Sequence, residues 1–345
     1  MTKAPRPLQV TRAQILAFRR RVGHLDERLA PGSASLRAAA WAGLQDSMPR
    51  AGLLSMHARV EAVEPNTWED PSLIQVWGPR FHVYLVAERD RAVFTLGRLP
   101  DLRSSRRVAE QTADQLEAFL DGRRMTFAAA GRAMGVPPNT LRYAGPTGRV
   151  AMRWDGARQP TVWMVPPPSV DPVDARLELA RRHLHVFGPA TPETFAAWAG
   201  TGISPGRGRA TFEALAESLT PVRTPLGDAW ILTEDEEMLR TSIASAAAPA
   251  RLLPSGDAYF LLQGAERELL VPDAGQRAEL WPTRVWPGAV LVDGEIAGTW
   301  RRAGAAVKVQ AWRRLPSKAR DAVELEAQSF PVPELQGRMR VDWEA

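Results

Sequence analysis

RVAEQTADQLEAFLDGRRMTFAAAGRAMGVPPNTLRYAGPTGRVAMRWDGARQPTVWMVP, residues 107–166, reads as helix, short helix, turn, helix and then a two-stranded hairpin. VAEQTADQLEAFL places Val108, Leu116, Phe119 and Leu120 on one face at helical spacing. Asp121-Gly122 stops that helix, because glycine accepts a left-handed cap. Thr126 is the expected cap of the short helix FAAAGRAM, which ends at Gly135. Pro137-Pro138-Asn139-Thr140 then restarts the chain into TLRYA, proline being tolerated in a first helical turn. RVAMRW and QPTVWMV flank Asp155-Gly156, a short hairpin signal. A helix-turn-helix followed by a β-hairpin is a winged helix, a unit commonly used to grip duplex DNA.

The same order recurs on both sides. Thr11 and Gln14 form a capping box for TRAQILAFRRRV, with Ile15, Leu16 and Phe18 inward. A helix follows around Leu36–Leu44. Asp46 or Ser47 then caps another helix that carries Leu53, Leu54 and Met56, with Pro49 in its first turn. PSLIQVWGPRFHVYLVAERD is extended around Gly78-Pro79. After the stiff Pro166-Pro167-Pro168 linker come ARLELARRHLHVF, a helix started by Thr191-Pro192 and another started by Ser204-Pro205. TPVRTPLGDAWILTE closes that block as a hairpin. From about Ala250 the texture changes to short alternating runs, YFLLQG, ELLVP, AVLVDGEIAGTW and AAVKVQAWRRL, before a closing helix in SKARDAVELEAQSF. The expectation is an α+β protein with winged helices over 8–100, 101–168 and 171–245, and a β-rich domain, a partial barrel, over 250–345.

Composition bounds the chemistry. The 345 residues are 45% hydrophobic and 24% charged, an ordinary globular balance with room for two or three cores. The absence of cysteine excludes disulfides and thiolate metal sites. The five histidines show no metal spacing, so neither metal nor cofactor is expected. No apolar stretch is long enough to cross a membrane and the first residues lack a signal-peptide core, which predicts a cytoplasmic protein. Net charge is +5, and Lys occurs only at 3, 308 and 318, so nearly every cation is Arg. Arginine forks onto phosphates and guanine edges, although an Arg- and Ala-rich genome would give the same bias.

GLQDSMPRAGLLSMHARV (43–60), VWGPRFHVYLV (76–86), HVFGPATPETFAAWAG (185–200) and VLVDGEIAGTWRR (290–302) together resemble the winged-helix DNA glycosylases typified by AlkZ and YcaQ. The resemblance runs from about residue 10 to 330. It implies three tandem winged helices around a β domain, forming a concave surface for double-stranded DNA. It also implies a monofunctional enzyme, which hydrolyses the N-glycosidic bond of alkylated or crosslinked bases with water and without metal; a monomer is expected. The family's catalytic motif, Gln-x-Gln or Gln-x-Asp, falls on Gln45-Asp46-Ser47, with Ser47 in place of the second Gln or Asp. His82 matches a histidine of the family's strand segment. The catalytic candidates are therefore Gln45, Asp46, Ser47 and His82.

Each has a plainer reading. Asp46 and Ser47 suit a helix cap, Gln45 could bond a loop carbonyl, and His82 could be a satisfied residue of the sheet. The DNA-binding candidates are Arg142, Arg149, Arg153 and Arg158 on the central unit, Arg207 and Arg209 on the third, and Arg301 and Arg302 on the β domain. Any one alone reads as a solvated side chain, and only convergence on one face makes a phosphate-binding set. The rival function is a winged-helix DNA-binding protein without catalysis, a regulator or damage binder.

Overall fold

In a computed structural model, residues 7–154, 156, 159–242, 248–332 and 339–344 are described. The architecture is mixed α+β, with three sheets of three, six and five strands among the described residues. The helix Arg12–Val22 opens with the expected Thr11–Gln14 capping box and buries Ile15, Leu16 and Phe18. Just ahead of it, Leu8–Gln9 pairs in parallel with Leu219–Thr224, which forms a hairpin with Gly227–Leu232. The start of the chain is thus stitched to its third helix–hairpin block.

The six-stranded sheet joins the first two blocks. Its order is Leu44–Gln45, Val83–Ala87, Leu73–Trp77, Val150–Arg153, Thr161–Met164 and Met125–Thr126. The two hairpins meet where Gln75 faces Met152. The helix Arg103–Leu120 packs on a 3-10 helix, Pro138–Thr147, through Ala109, Thr112, Ala113, Leu116 and Leu120. Small residues at 109 and 113 permit close approach, so Ala109 faces inward and Val108, expected on that face, is 46% exposed. TLRYA belongs to that 3-10 element rather than to an α-helix, and Pro146 lies inside it. Proline has no N–H to continue an α-helical ladder. Arg153 pairs with Thr161, and of the expected Asp155-Gly156 turn Asp155 lies outside the described residues.

The C-terminal sheet runs Arg251–Leu253, Gly288–Val292, Glu295–Ala303, Ala306–Ala311 and Arg340–Glu344 in sequence order, the last pairing in parallel. That order is open at both edges. Asp293 and Gly294, both at positive φ, make the tight turn between Val292 and Glu295. Two expected strands are absent. YFLLQG contains a 3-10 turn, Ala258–Phe260, and ELLVP falls in the helix Glu266–Leu270. Short apolar runs do not distinguish a buried strand from a buried helical turn. The helix Ser317–Gln328 closes the lobe, as expected.

A buried ion pair fastens this lobe to the first block. Arg59 Nη1 and Nη2 donate to the Asp257 carboxylate at 2.7 and 2.8 Å, Ser55 Oγ donates to it at 2.7 Å, and Asp257 is fully buried. Replacing Asp257 with Ala leaves the Arg59 charge uncompensated in the interior. We expect Asp257→Ala to lower unfolding stability by about 3–5 kcal/mol, read from urea denaturation. A loss below about 1 kcal/mol would show that water or a neighbour takes over the guanidinium.

Candidate functional site

The strand Leu44–Gln45 lies at the edge of the six-stranded sheet, with Gln45 opposite Tyr84. Side chains alternate along an extended chain, so Gln45 and Ser47 share a side that Asp46 does not. Their contacts agree. Gln45 Oε1 accepts from Arg80 Nη2 at 3.2 Å, and Ser47 Oγ lies 2.9 Å from His82 Nδ1. Both partners come from the turn between Leu73–Trp77 and Val83–Ala87. Arg80 and Phe81 hold positive φ there, 56° and 58°, a costly conformation for residues with side chains. The Gln45 amide is also pressed from the C-terminal lobe. A Cβ at Gly256 would lie 2.7 Å from Nε2, so a side chain there would displace the amide, and the φ of 78° also favours glycine.

Asp46 faces the interior. Its Oδ1 accepts from Gly52 N at 2.8 Å and its Oδ2 from Gln75 Nε2 at 2.6 Å. The capping role foreseen for Asp46 or Ser47 therefore falls to Asp46, which reaches the N-terminal end of the helix Ala51–His57. Ser47 bonds His82 instead. Burial pushes the Asp46 carboxyl up to about 6 against the two donors, which favour the ionised form. With both oxygens occupied, Asp46 is oriented as a strut. Gln75 extends the strut: it also donates to Trp154 O at 3.0 Å, and its Oε1 accepts from Trp154 N at 2.6 Å. The motif strand is tied in this way to the second hairpin.

His82 is partly buried. Desolvation first, then Arg80, Arg142 and Arg98, lower its pKa to about 4. A neutral ring at physiological pH can accept the Ser47 proton at Nδ1 when Nε2 carries the hydrogen. The surroundings are cationic. Arg80 Nε and Arg142 Nε are buried without a hydrogen-bond partner among the described residues. Arg267 sits between Trp281 and Trp286, 5.0 and 5.2 Å from their ring centroids, and desolvation and Arg80 lower its pKa. A cleft of about 310 Å³ opens beside the motif, walled by Met48, Pro49, Ser255, Trp286, Arg301 and Arg302.

The remaining arginines are mostly engaged within the chain. Arg149 pairs with Asp114 and Glu117, Arg153 with Glu69 at 3.0 Å, Arg207 with Asp101, and Arg209 with Glu193 at 3.1 Å. Arg301 donates to Val285 O and Arg302 to Gly304 O. Arg158 lies outside the described residues. Solvent-exposed pairs such as Arg153–Glu69 and Arg209–Glu193 contribute little, so a phosphate can displace the carboxylate. Sequence reasoning missed Gln75, Arg80, Arg98, Arg267 and Gly256. Gln75 alone carried a signal, a polar residue within the apolar run LIQVW.

Comparison with known proteins is consistent across sequence and structure. The family model for DNA glycosylase AlkZ-like proteins matches residues 38–331. An interstrand DNA cross-link repair glycosylase of Streptomyces sahachiroi is 33% identical over 168 residues, 46% of this chain and 42% of that protein. The aligned stretch therefore spans less than half of that relative. The structure of Streptomyces sahachiroi DNA glycosylase AlkZ superposes with a TM-score of 0.79 at 21% identity, covering 98% of this chain and 100% of that one. The likeness establishes a shared fold. Among the described residues no cluster of His, Cys, Asp or Glu could hold a metal, and no helix is long and apolar enough to cross a membrane.

The electrostatics make a direct prediction for His82. Its ring resonances should titrate with a midpoint of about 4 in NMR spectra, so the ring stays neutral through the physiological range. A midpoint at the ordinary value of 6.5 would show a solvated ring that the neighbouring guanidinium groups do not govern.

Proposed function

The chain belongs to the AlkZ-like DNA glycosylase family, and we propose that it is a monofunctional DNA glycosylase that removes alkylated or crosslinked bases from duplex DNA. Three winged helices, over 8–100, 101–168 and 171–245, would grip the duplex with the β-rich lobe over 250–345 as the fourth wall. The protein would act as a cytoplasmic monomer without metal or cofactor. One observation carries the reading: Gln45 and Ser47 engage Arg80 and His82 of a single turn, which assembles an amide and a hydroxyl–imidazole pair on one side of the motif strand.

The chemistry suits that set. A purine alkylated on a ring nitrogen carries positive charge and leaves as a neutral base, so its departure needs no general acid. As the C1′–N bond breaks, charge moves onto the sugar, and water attacks C1′. Arg80 fixes the Gln45 amide, whose Oε1 keeps a lone pair that can accept from that water. Ser47 accepts the other water proton while passing its own to His82 Nδ1. An imidazole with a pKa near 4 is a weak base. A weak base is enough, because water becomes strongly acidic as it bonds to an oxocarbenium-like carbon. The surrounding guanidinium groups oppose that sugar charge by themselves, and their match is the flanking phosphates.

The rival reading, a DNA-binding protein without hydrolysis, draws on serine at 47 in place of the family's Gln or Asp. Base release from a duplex carrying one N7-methylguanine, or one crosslink, separates the two. Removing a positioned water-orienting group lowers rates about 10²- to 10⁴-fold, which is the loss expected for Gln45→Ala with DNA affinity retained. Ser47→Ala should also slow release, and Ser47→Gln, which restores the family motif, should not. Salt-sensitive binding without release from either duplex by the unaltered protein would favour the rival.

A further inference from the structure

Tyr143 has an environment that the proposed hydrolysis leaves unexplained. It is 49% exposed, on the 3-10 helix Pro138–Thr147, beside Arg142. Its ring stands edge-on to Phe81, with centroids 5.6 Å apart and planes at 87°. Phe81 in turn has the buried guanidinium of Arg98 5.3 Å from its ring centroid. A pillar therefore rises from a fixed cation through Phe81 to an exposed phenol, next to His82. Phe81 lies in the turn with two consecutive positive-φ residues, Arg80 and Phe81. A lone exposed aromatic needs no explanation. One supported by strained backbone at the rim of a cationic site does.

We propose that Tyr143 is a stacking residue: its ring inserts against a nucleobase adjoining the lesion and holds the duplex open while Gln45 and Ser47 reach the sugar. The proposal rests on the DNA glycosylase reading and assigns a positioning role, since Tyr143 touches no group of the Gln45–Ser47 set in the structure. Three features fit a base as the ligand. The ring is half exposed while its T-shaped contact with Phe81 anchors it, the buried Arg98 guanidinium backs Phe81, and Arg142 supplies a neighbouring cation whose Nε lacks a partner among the described residues. Stacking on an aromatic side chain is tolerant of base identity, so this contact would serve any sequence around the lesion.

The test uses the full chain and a duplex with one 2′-fluoro-N7-methylguanine, which resists hydrolysis, and 2-aminopurine as the next base. Binding by the unaltered protein and by Tyr143→Phe should change 2-aminopurine fluorescence, and binding by Tyr143→Ala should not. On the hydrolysable duplex, single-turnover base release should fall about tenfold in Tyr143→Ala and recover in Tyr143→Phe. The same fluorescence change with Tyr143→Ala as with the unaltered protein, or no change with either, overturns the proposal. A fluorescence change without any base release would instead overturn the glycosylase reading and leave the stacking role standing.

Discussion

The guanidinium of Arg98 is fully buried and donates to three main-chain carbonyls, those of Trp77, Gly78 and Ala199. Burial brings its pKa down to about 10, which leaves it charged at neutral pH, and the charge is met by carbonyl dipoles. The fork reaches carbonyls of two different blocks through separate nitrogens, Nε and Nη1, a spread that the single nitrogen of a lysine lacks. Everything at the site depends on this clamp. It fixes the turn that carries Arg80, Phe81 and His82, and it anchors that turn to the end of the helix Pro192–Ala199. The close fit of Gly200 against Arg80, where a Cβ would lie 2.7 Å from the side chain, belongs to the same junction.

Beneath the turn runs a second system of bonds. Asp46, Gln75 and the backbone of Trp154 form a chain of short hydrogen bonds linking the motif strand, the first hairpin and the second. Carboxylate and amide thus divide the labour within three consecutive residues. Asp46 supports from behind, while Gln45 and Ser47 remain free to face a ligand.

Much of this was legible in the chain before any coordinates. Helix periodicity, proline starts and Thr or Ser caps located the helices, because those signals are local and the physics behind them is local. The Thr11–Gln14 box and the Ser204 cap stand as expected. What escaped depends on distant partners. Val108 looks as apolar as Leu116, but the packing of the 3-10 helix selects the stripe through Ala109. ELLVP has strand composition and folds as a helical turn, since short apolar runs carry no period. Gln45 and Ser47 came from the motif that the family resemblance implies, whereas the inward turn of Asp46 required Gln75 and Gly52 to be in place. The internal carboxylate partners of Arg149 and Arg207 lie far along the chain, so the residues alone could not reveal them.

Gly256 sits in the C-terminal lobe, yet its bare backbone is what the Gln45 amide rests on. The candidate site is consequently shared property: one side is laid down early in translation and the other only near its end. A nascent chain that has emerged as far as its third hairpin holds the motif residues without the surface that orients them. Gene fragments or fusions that separate the two portions would inherit the motif strand without the glycine that packs on it, which ties the fate of both portions to one reading frame.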